Sequence, residues 1–133
     1  MKIYKNALDL IGKTPMLLVN NLNTGPCNLY LKLESFNLGG SIKDRPAENM
    51  IKQAEQKGYL KKGGTIVEAT AGNTGIALAI IAIKKGYKII IVVPNKMTVE
   101  KIYHLRALGA KVITARSDVV NGHPEYYLEI AKK

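Results

Sequence analysis

The sequence has a single cysteine, Cys27, among its 133 residues. One thiol cannot form an internal disulfide, and a chain that relies on none fits a reducing compartment. Neither His104 nor His123 lies in a nucleophile pattern with Cys27. We therefore interpret Cys27 as a small, buried or partly buried thiol, and no metal site is predicted.

Long apolar runs are also absent. The longest, 76–83, is far shorter than the roughly 20 residues that span a bilayer. The start of the chain, MKIYKNALDLIG, alternates charged and apolar residues and lacks the continuous apolar segment of a secretory signal. We therefore expect a cytoplasmic protein without a membrane partner.

Acidic residues are scarce, at 10 against 20 lysines and arginines, and the net charge is +10. A basic patch would indicate nucleic-acid binding, but the lysines are scattered and form nothing longer than pairs such as Lys61-Lys62. No nucleic-acid partner is expected. The hydrophobic fraction of 47% and the charged fraction of 23% are typical of a globular domain.

Helix and strand patterns alternate along the chain. Gly12, Gly58, Gly86 and Gly109 mark helix ends, and Ser41 is a plausible N-cap for the helix that contains Lys43 and, in its first turn, Pro46. The predicted helices are 6–11, 43–57, 73–85, 98–108 and 125–132, and the predicted strands are 16–19, 29–34, 65–68, 88–93 and 111–114, the first two forming a hairpin.

This order predicts an α/β fold, a three-layer αβα arrangement with a small parallel sheet, preceded by a helix and a short hairpin. The β-branched run at 88–93 is typical of a central parallel strand. We expect two parts: 1–36, a helix and hairpin that would pack on a second domain, and 37–133, a small α/β domain.

Two glycine-bounded motifs carry the candidate chemistry, NLGGSIKDR at 37–45 and TAGNTG at 70–75. The second occupies a strand-to-helix turn, where backbone N–H groups and the helix dipole suit a carboxylate or a phosphate. The alternative is an ordinary tight turn in which Asn73 or Thr74 caps the helix. Neither a GxGxxG nor a Walker motif is present.

Together, NLGGSIKDR and EATAGNTGIALA resemble the cystathionine β-synthase and cysteine synthase family, the β-replacing branch of the fold type II pyridoxal phosphate enzymes. LIGKTPM, LKLESFN, KGGTIVEAT, VVPNKMTVEK and LRALGAKVI follow the same family pattern in order, over essentially the whole chain. The resemblance implies the smaller, cofactor-bearing domain of such an enzyme.

The resemblance also implies roles for matched positions. Lys43 matches the lysine that holds pyridoxal 5'-phosphate as a Schiff base and later removes the substrate α-proton. Asn73 matches the residue that hydrogen-bonds the phenolic oxygen of the cofactor. The loop that holds the substrate carboxylate corresponds to Thr70, Ala71, Gly72 and Thr74.

The reaction implied is β-replacement on serine or O-acetylserine with a thiol or a sulfide. Relatives with the same fold but other reactions, the threonine dehydratases and tryptophan synthase β chains, usually carry a histidine where this chain has Thr74 and Gly75. PNKMTVEK and HPEYY favour a cystathionine β-synthase, with O-acetylserine sulfhydrylase, a cysteine synthase, as the alternative. Ala71 replaces a common serine, which leaves the choice of sulfur substrate open.

Three departures from the family pattern matter. Leu38 stands where proline is usual, which loosens the loop before Lys43, and Pro46 stands where a helix former is usual. The family's phosphate-binding loop comes from sequence beyond Lys133, so we expect a truncated part that is inactive alone.

Other interpretations of the chain remain. The complete enzyme is expected to be a homodimer, and the 133-residue part is expected to associate. One alternative is a non-catalytic module that binds a carboxylate, and another is a domain that pairs with a full-length relative.

Overall fold

The structure, a computed structural model, describes residues 3–133. Two short 3-10 helices, Ala7–Leu10 and Glu34–Phe36, flank the strands β1 and β2 of an antiparallel hairpin. The remaining elements alternate between helix and strand. The strands are β1 Met16–Val19, β2 Leu29–Lys32, β3 Thr65–Ala69, β4 Lys88–Pro94 and β5 Lys111–Ala115, and the helices are α1 Asp44–Gln56, α2 Asn73–Lys84, α3 Val99–Ala107 and α4 Tyr127–Lys132.

The second sheet is parallel, in the order β3-β4-β5. Strand β4 lies in the centre because α2 connects β3 to β4 and α3 connects β4 to β5 on the same sheet. Its β-branched residues are accordingly buried from Ile91 through Val93, as is the following Pro94. The predicted α/β fold with a small parallel sheet, an initial helix and a hairpin is confirmed.

Helix α2 supplies much of the core. It has no polar stripe, and Ala77, Ala79 and Ala82 are buried on different sides of it, since the helix contacts both α1 and β4. Helix α1 packs against α2, and α3 lies beside α2 and β5. Leu8 and Ile11, from the first 3-10 helix and its C-cap, are also buried in this core.

The other face of the sheet is covered by α4, which contacts all three strands. Val92 and Ala115 are buried but do not belong to the core that α2 and α3 share, as expected for strand residues of the opposite parity. Tyr126 and Tyr127 open α4 with an edge-to-face ring contact at 4.7 Å. The sheet thus separates two helical layers.

The β1–β2 hairpin leaves large apolar side chains in solvent. Leu17 pairs with Leu31 and Leu18 with Tyr30, and the exposed fractions of these residues lie between 45% and 52%. Met16 is 62% exposed. In the described residues, this hairpin has no apolar cover on either face comparable to that of the parallel sheet.

Some predicted details were wrong. Cys27 is exposed, because it lies in the turn between the hairpin strands and no core element reaches it. Strand β2 ends at Lys32 instead of 34, because Glu34 begins a 3-10 helix and directs its carboxylate toward Arg45. Helix α4 begins at Tyr127, two residues late, because the Glu125 N–H donates to His123 Nδ1. Over residues 3–133, none of the helices combines the length and the hydrophobicity that crossing a bilayer requires.

Candidate functional site

The TAGNTG turn lies at the carboxyl end of β3. The Thr70 N–H donates to the Val92 carbonyl at 3.1 Å and so extends the parallel ladder by one residue. Thr70 Oγ1 then accepts from the Gly72 N–H at 3.2 Å, which folds the chain back toward α2. Ala71 and Gly72 are exposed at the tip of the turn.

Helix α2 begins at Asn73, with Gly72 as its N-cap. Contrary to the prediction that Asn73 or Thr74 caps the helix, no side chain makes a capping hydrogen bond here. The Asn73 side chain is exposed and, within residues 3–133, has no hydrogen-bond partner. The amide is therefore available to a ligand at the carboxyl edge of the sheet, and the turn is more than a self-capped helix start.

Gly75 sets how closely α2 approaches the turn. A Cβ at this buried position would lie 2.7 Å from the Thr70 Cγ2 atom, closer than carbon atoms pack. Ile91 of β4 lies on the same side at 3.5 Å. Any side chain at position 75 would push Thr70, and with it the turn, away from the sheet.

Lys43 is the N-cap residue of α1 and is exposed. Its N–H donates to Ser41 Oγ at 3.2 Å, a local turn contact. The prediction that Ser41 is the N-cap was wrong, because Lys43 takes that position and no side chain makes a capping hydrogen bond there. Lys43 Nζ has no bonding partner among the described residues. The amine therefore stands free at the start of a helix that packs against α2.

The side chain of Asp44 fixes the loop that precedes Lys43. This side chain is 2% exposed and accepts a hydrogen bond from the Gly39 N–H. Burial raises the pKa of the Asp44 carboxyl, while the Gly39 N–H lowers it and the nearby Glu34 charge raises it. Gly39 cannot carry a Cβ, which would lie 2.5 Å from Asp44 Oδ1, and Gly40 has a φ of +74°. The two glycines are thus needed for the path of the loop.

A polar network anchors the first turn of α1 to the chain before it. Arg45 donates to both carboxylate oxygens of Glu34, at 2.8 and 2.9 Å, and to the Gly12 carbonyl at 2.9 Å. Thr14 Oγ1 and Asn37 Nδ2 also donate to Glu34. The Arg45 hydrogen bonds and those of Thr14 and Asn37 lower the pKa of Glu34 to about 2. Two contacts thereby fix the segment that carries Lys43, the hydrogen bond from the Gly39 N–H to Asp44 and the pair of Arg45 with Glu34.

The two unusual residues near Lys43 are accommodated. Pro46 is the third residue of α1, where its missing N–H has no partner in the helix anyway. Leu38 is 36% exposed and lines a groove with residues of α2 and α3. Neither residue disturbs the start of α1.

A second set of polar groups lies at the same edge of the sheet. A cavity of about 220 Å³ opens beside Ala71 and lies where β4 and β5 end. Its lining includes Lys96, Arg116, Ser117, Tyr126 and Tyr127. Sequence reasoning assigned no role to these residues, although Lys96 lies in the quoted PNKMTVEK segment. The rule that ligands bind at the carboxyl ends of parallel strands could have found them, because all of them follow β4 or β5.

Arg116 is held in place by two carboxylates. It donates to Asp118 at 2.7 and 3.1 Å and to Glu125 at 3.0 Å. The hydrogen bonds from Arg116 to Asp118 are the main cause that lowers the pKa of Asp118 to about 2. Ser117 Oγ donates to Asn95 Oδ1 at 2.6 Å, which joins the ends of β4 and β5. Lys96, in contrast, has no partner among the described residues.

The structure thus brings five of the predicted residues together in one turn, Thr70 through Thr74, and places Lys43 at the start of the adjoining helix. The family model described as "Pyridoxal-phosphate dependent enzyme" matches residues 7–133.

Individual relatives are consistent with that match. The chain is 48% identical to a cystathionine beta-synthase of Dictyostelium discoideum over 98% of this chain and 26% of the relative. It is 47% identical to a cysteine synthase of a Flavobacterium species, over 98% of this chain and 43% of the relative.

A solved structure, that of a hydrogen sulfide-producing enzyme from Fusobacterium nucleatum, superposes with a TM-score of 0.88 at 42% identity. The match covers 99% of this chain and 42% of that one. The chain therefore spans between a quarter and a half of the length of these relatives, and it belongs to the pyridoxal-phosphate dependent enzyme family.

Proposed function

We propose that this chain forms the lysine-bearing domain of an enzyme that catalyses β-replacement on serine or O-acetylserine with a thiol or sulfide. The observation that carries the proposal is the free Lys43 amine at the N-cap of α1, a helix that packs against α2, whose first residue Asn73 also has a free side-chain amide. A cystathionine beta-synthase and a cysteine synthase among the relatives support this reaction class. A cystathionine β-synthase-like reaction is favoured, with cysteine synthase as the second candidate.

The residues present fit pyridoxal phosphate. Lys43 Nζ is an exposed primary amine without an ion-pair partner in the described part of the chain, as attachment to an aldehyde requires. Asn73 offers an unpaired side-chain amide to the phenolic oxygen of the cofactor ring. When bound, the cofactor supplies an electron sink for the substrate α-carbon.

The turn itself suits the substrate carboxylate. Ala71 and Gly72 are exposed, and the backbone N–H groups of the first turn of α2 have no intrahelical partners. The positive end of the helix dipole adds a favourable field for an anion. Thr70 and Thr74, both half-buried, shape the two ends of this turn.

The chemical role proposed for Lys43 depends on its side-chain amine, which has no hydrogen-bond or ion-pair partner in the described residues. Lys43 Nζ would hold the cofactor aldehyde and would take the substrate α-proton, since no side chain in the described residues hydrogen-bonds the amine and restricts its movement. The network of Arg45 and Glu34 behind it fixes the backbone from which the amine projects. An amine without a partner, carried by a fixed backbone, suits a group that would attach to the cofactor, release it and transfer a proton.

The domain organisation is part of the proposal. We place the boundary at 36, with the hairpin of 1–36 packing on a second domain and 37–133 carrying the lysine; residues 1–2 lie outside the described part. The exposed apolar residues of β1 and β2 support this arrangement. The complete enzyme would be a cytoplasmic homodimer, and the 133-residue chain alone is expected to be inactive.

The test is cofactor loading. The full-length protein and the 133-residue chain are mixed with pyridoxal phosphate, and the visible absorbance band is followed through desalting and borohydride reduction. Lys43→Ala is expected to abolish the band, and Lys52→Ala, on the same helix and also exposed, to keep it. A band that persists in Lys43→Ala would contradict the assignment of Lys43. Absence of turnover in the loaded full-length protein, with serine or O-acetylserine and either sulfur nucleophile, would overturn the reaction.

A further inference from the structure

The Asp44 carboxyl is buried, yet it is only partly hydrogen-bonded. Asp44 is 2% exposed, and its Oδ2 atom accepts from the Gly39 N–H. The Oδ1 atom has no hydrogen-bond partner among the described residues. A carboxylate can accept about four hydrogen bonds, and buried polar atoms in proteins nearly always have a partner. The stability of α1 alone does not account for a buried carboxyl in this state.

No cationic side chain of the described residues is bonded to this carboxyl. On the same helix, Lys43 is exposed, and Arg45 is bonded to Glu34. Lys32 of β2 donates its hydrogen bonds elsewhere. The Glu34 carboxylate, from the second 3-10 helix, opposes a negative charge on Asp44.

The rest of α1 and the adjoining α2 place no cation beside Asp44 either. Glu48, one turn along α1, is acidic. The only charged residue of α2 is Lys84, in its last turn. Lys85, the next residue, pairs with Glu55 near the end of α1 at 2.6 Å, so the two helices meet there at their C-terminal ends. Asp44 lies at the opposite end of α1.

The ionised form of Asp44 is therefore unfavourable. Burial raises the pKa of its carboxyl above the ordinary 3.8, the Gly39 N–H lowers it, and the Glu34 charge raises it. A group whose pKa is raised on folding stabilises the protein while it is protonated, and that contribution is lost as the pH rises through the folded pKa. Titratable groups kept in an unfavourable environment cluster at functional sites, and Asp44 directly follows Lys43.

Both oxygens of the carboxyl face Gly39. A Cβ at that residue would lie 2.5 Å from Oδ1 and 3.3 Å from Oδ2. An ionised oxygen accepts a hydrogen bond roughly twice as strongly as a neutral one. Protonation of Asp44 therefore weakens its bond to the loop, four residues before Lys43. Gly40, with a φ of +74° and no atom within 4 Å of its Cβ position, leaves the loop room to move.

We propose that Asp44 is a positioning residue for Lys43, which holds the loop 39–43 in place as a carboxylate and loosens it on taking up a proton. Lys43 is then well placed only above the pH at which Asp44 ionises. The inference rests on the proposed role of Lys43 and adds a pH control of its placement. Asp44 acts through the loop and does not touch the ligand.

The experiment mixes the cofactor-free full-length protein with pyridoxal phosphate at a series of pH values. Asp44→Asn keeps a neutral oxygen acceptor of the same size, so it imitates the protonated carboxyl at every pH. The visible band is expected to form about 10-fold faster in the parent than in Asp44→Asn at about pH 8, the range of one weakened charge-assisted hydrogen bond. This ratio is expected to fall to about 1 below the pH at which Asp44 ionises. Using the ratio removes the titrations of Lys43 and of the cofactor, which both proteins share.

Glu48→Gln is the matched control. It removes a carboxylate from the same helix that has no hydrogen-bond or ion-pair partner in the described residues. Its rate is expected to equal that of the parent at every pH. A parent-to-variant ratio for Asp44→Asn that does not change with pH would overturn the inference, because Asp44 would then act only as a structural residue.

A measurement on the parent alone separates this inference from the proposed function. In protein labelled with nitrogen-15 glycine, the Gly39 amide signal is expected to shift in one step as Asp44 ionises, with or without cofactor. The Gly64 amide, which donates to the Lys61 carbonyl at 2.8 Å, is the reference and is expected to stay in place. A Gly39 signal that is constant between about pH 4 and about pH 8 would overturn the inference even if pyridoxal phosphate attaches to Lys43.

Discussion

Arg45 reaches from the second residue of α1 to Glu34 and donates to both oxygens of its carboxylate, at 2.8 and 2.9 Å. This bidentate pair joins the 3-10 helix after the hairpin to α1, the helix that begins directly after Lys43. Planar guanidinium and carboxylate groups match in this geometry, which a lysine at position 45 could not reproduce. The pair therefore determines where α1 starts relative to the hairpin.

The Glu34 carboxylate makes the free energy of unfolding depend on pH in the acidic range. Its pKa is lowered to about 2 in the folded protein from an ordinary value of 4.5. A lowered folded pKa stabilises the protein above the unfolded pKa, and that contribution is lost as the pH falls from about 4.5 toward 2. Glu34→Gln is expected to unfold at lower denaturant concentration at pH 7 and to lose less stability than the parent below pH 4.5. Denaturant titration between pH 7 and pH 3 measures both effects.

A matched control for this prediction is Glu100→Gln. Glu100 is an exposed carboxylate of α3 without a hydrogen-bond or ion-pair partner in the described residues. It is expected to retain the acid sensitivity of the parent protein. Equal pH profiles for Glu34→Gln and the parent would show that the network does not contribute.

The contact between Gly75 and Thr70 predicts a non-additive pair of substitutions. Gly75→Ala places a methyl group 2.7 Å from Thr70 Cγ2. The overpacking cost, about 1 to 3 kcal/mol, exceeds the gain of about 0.5 to 1 kcal/mol from replacing glycine inside a helix. A net loss of about 1 kcal/mol in the free energy of unfolding is expected from denaturant titration.

Thr70→Ser removes the clashing Cγ2 atom and tests the cause. In that background, Gly75→Ala is expected to be neutral or stabilising, which gives a coupling energy of about 1 to 3 kcal/mol in a double-mutant cycle. Gly72→Ala is the steric control, because a Cβ there meets no atom within 4 Å. Loss of glycine at the N-cap should cost about 0.5 to 1 kcal/mol, and the cost should be the same in the parent and in the Thr70→Ser background. Additive costs for Thr70→Ser and Gly75→Ala would contradict the steric explanation.

The elements of the fold could be predicted from the sequence because each follows from a local signal. The β-branched run of β4 and the glycines at the helix ends, such as Gly58 with a φ of +74°, require no knowledge of the tertiary structure. The second 3-10 helix escaped prediction because it depends on Glu34 finding Arg45, eleven residues later. Arg45 takes up its position only when α1 has packed against α2 in the folded protein.

The residues of the candidate site fall into the same two groups, those that a local motif predicts and those that depend on the tertiary structure. Lys43 lies within one continuous sequence motif and Thr70 within another, so their positions could be predicted from spacing and resemblance. The free Asn73 amide could not, since capping by asparagine is the ordinary expectation at a helix start. Lys96, Arg116 and Tyr127 come from three separate segments, and only the parallel register of β4 and β5 brings them to one cavity.

The hairpin predicts self-association of the 133-residue chain. Leu17 and Leu31 are cross-strand partners, and both are about half exposed, at 51% and 45%. Exposed apolar strands of this kind favour contacts between copies. The double variant Leu17→Lys/Leu31→Lys is expected to shift the chain toward monomer in sedimentation experiments. Tyr59→Lys, at a side chain 83% exposed elsewhere, is the control, and an equal shift in that variant would assign the effect to net charge alone.

Two positions of α2 predict how strongly the core depends on that helix. Leu78 is 2% exposed and belongs to the main core, whereas Ile83, five residues later on the same helix, is 44% exposed. Leu78→Ala is expected to lower the free energy of unfolding by about 2 to 5 kcal/mol, because the packed neighbours cannot close the resulting cavity. Ile83→Ala should cost clearly less, since part of its side chain already contacts water. Denaturant titration of both variants provides the measurement. Similar losses for the two variants would mean that α2 contributes by helix propensity instead of by the buried face that holds the TAGNTG turn against β4.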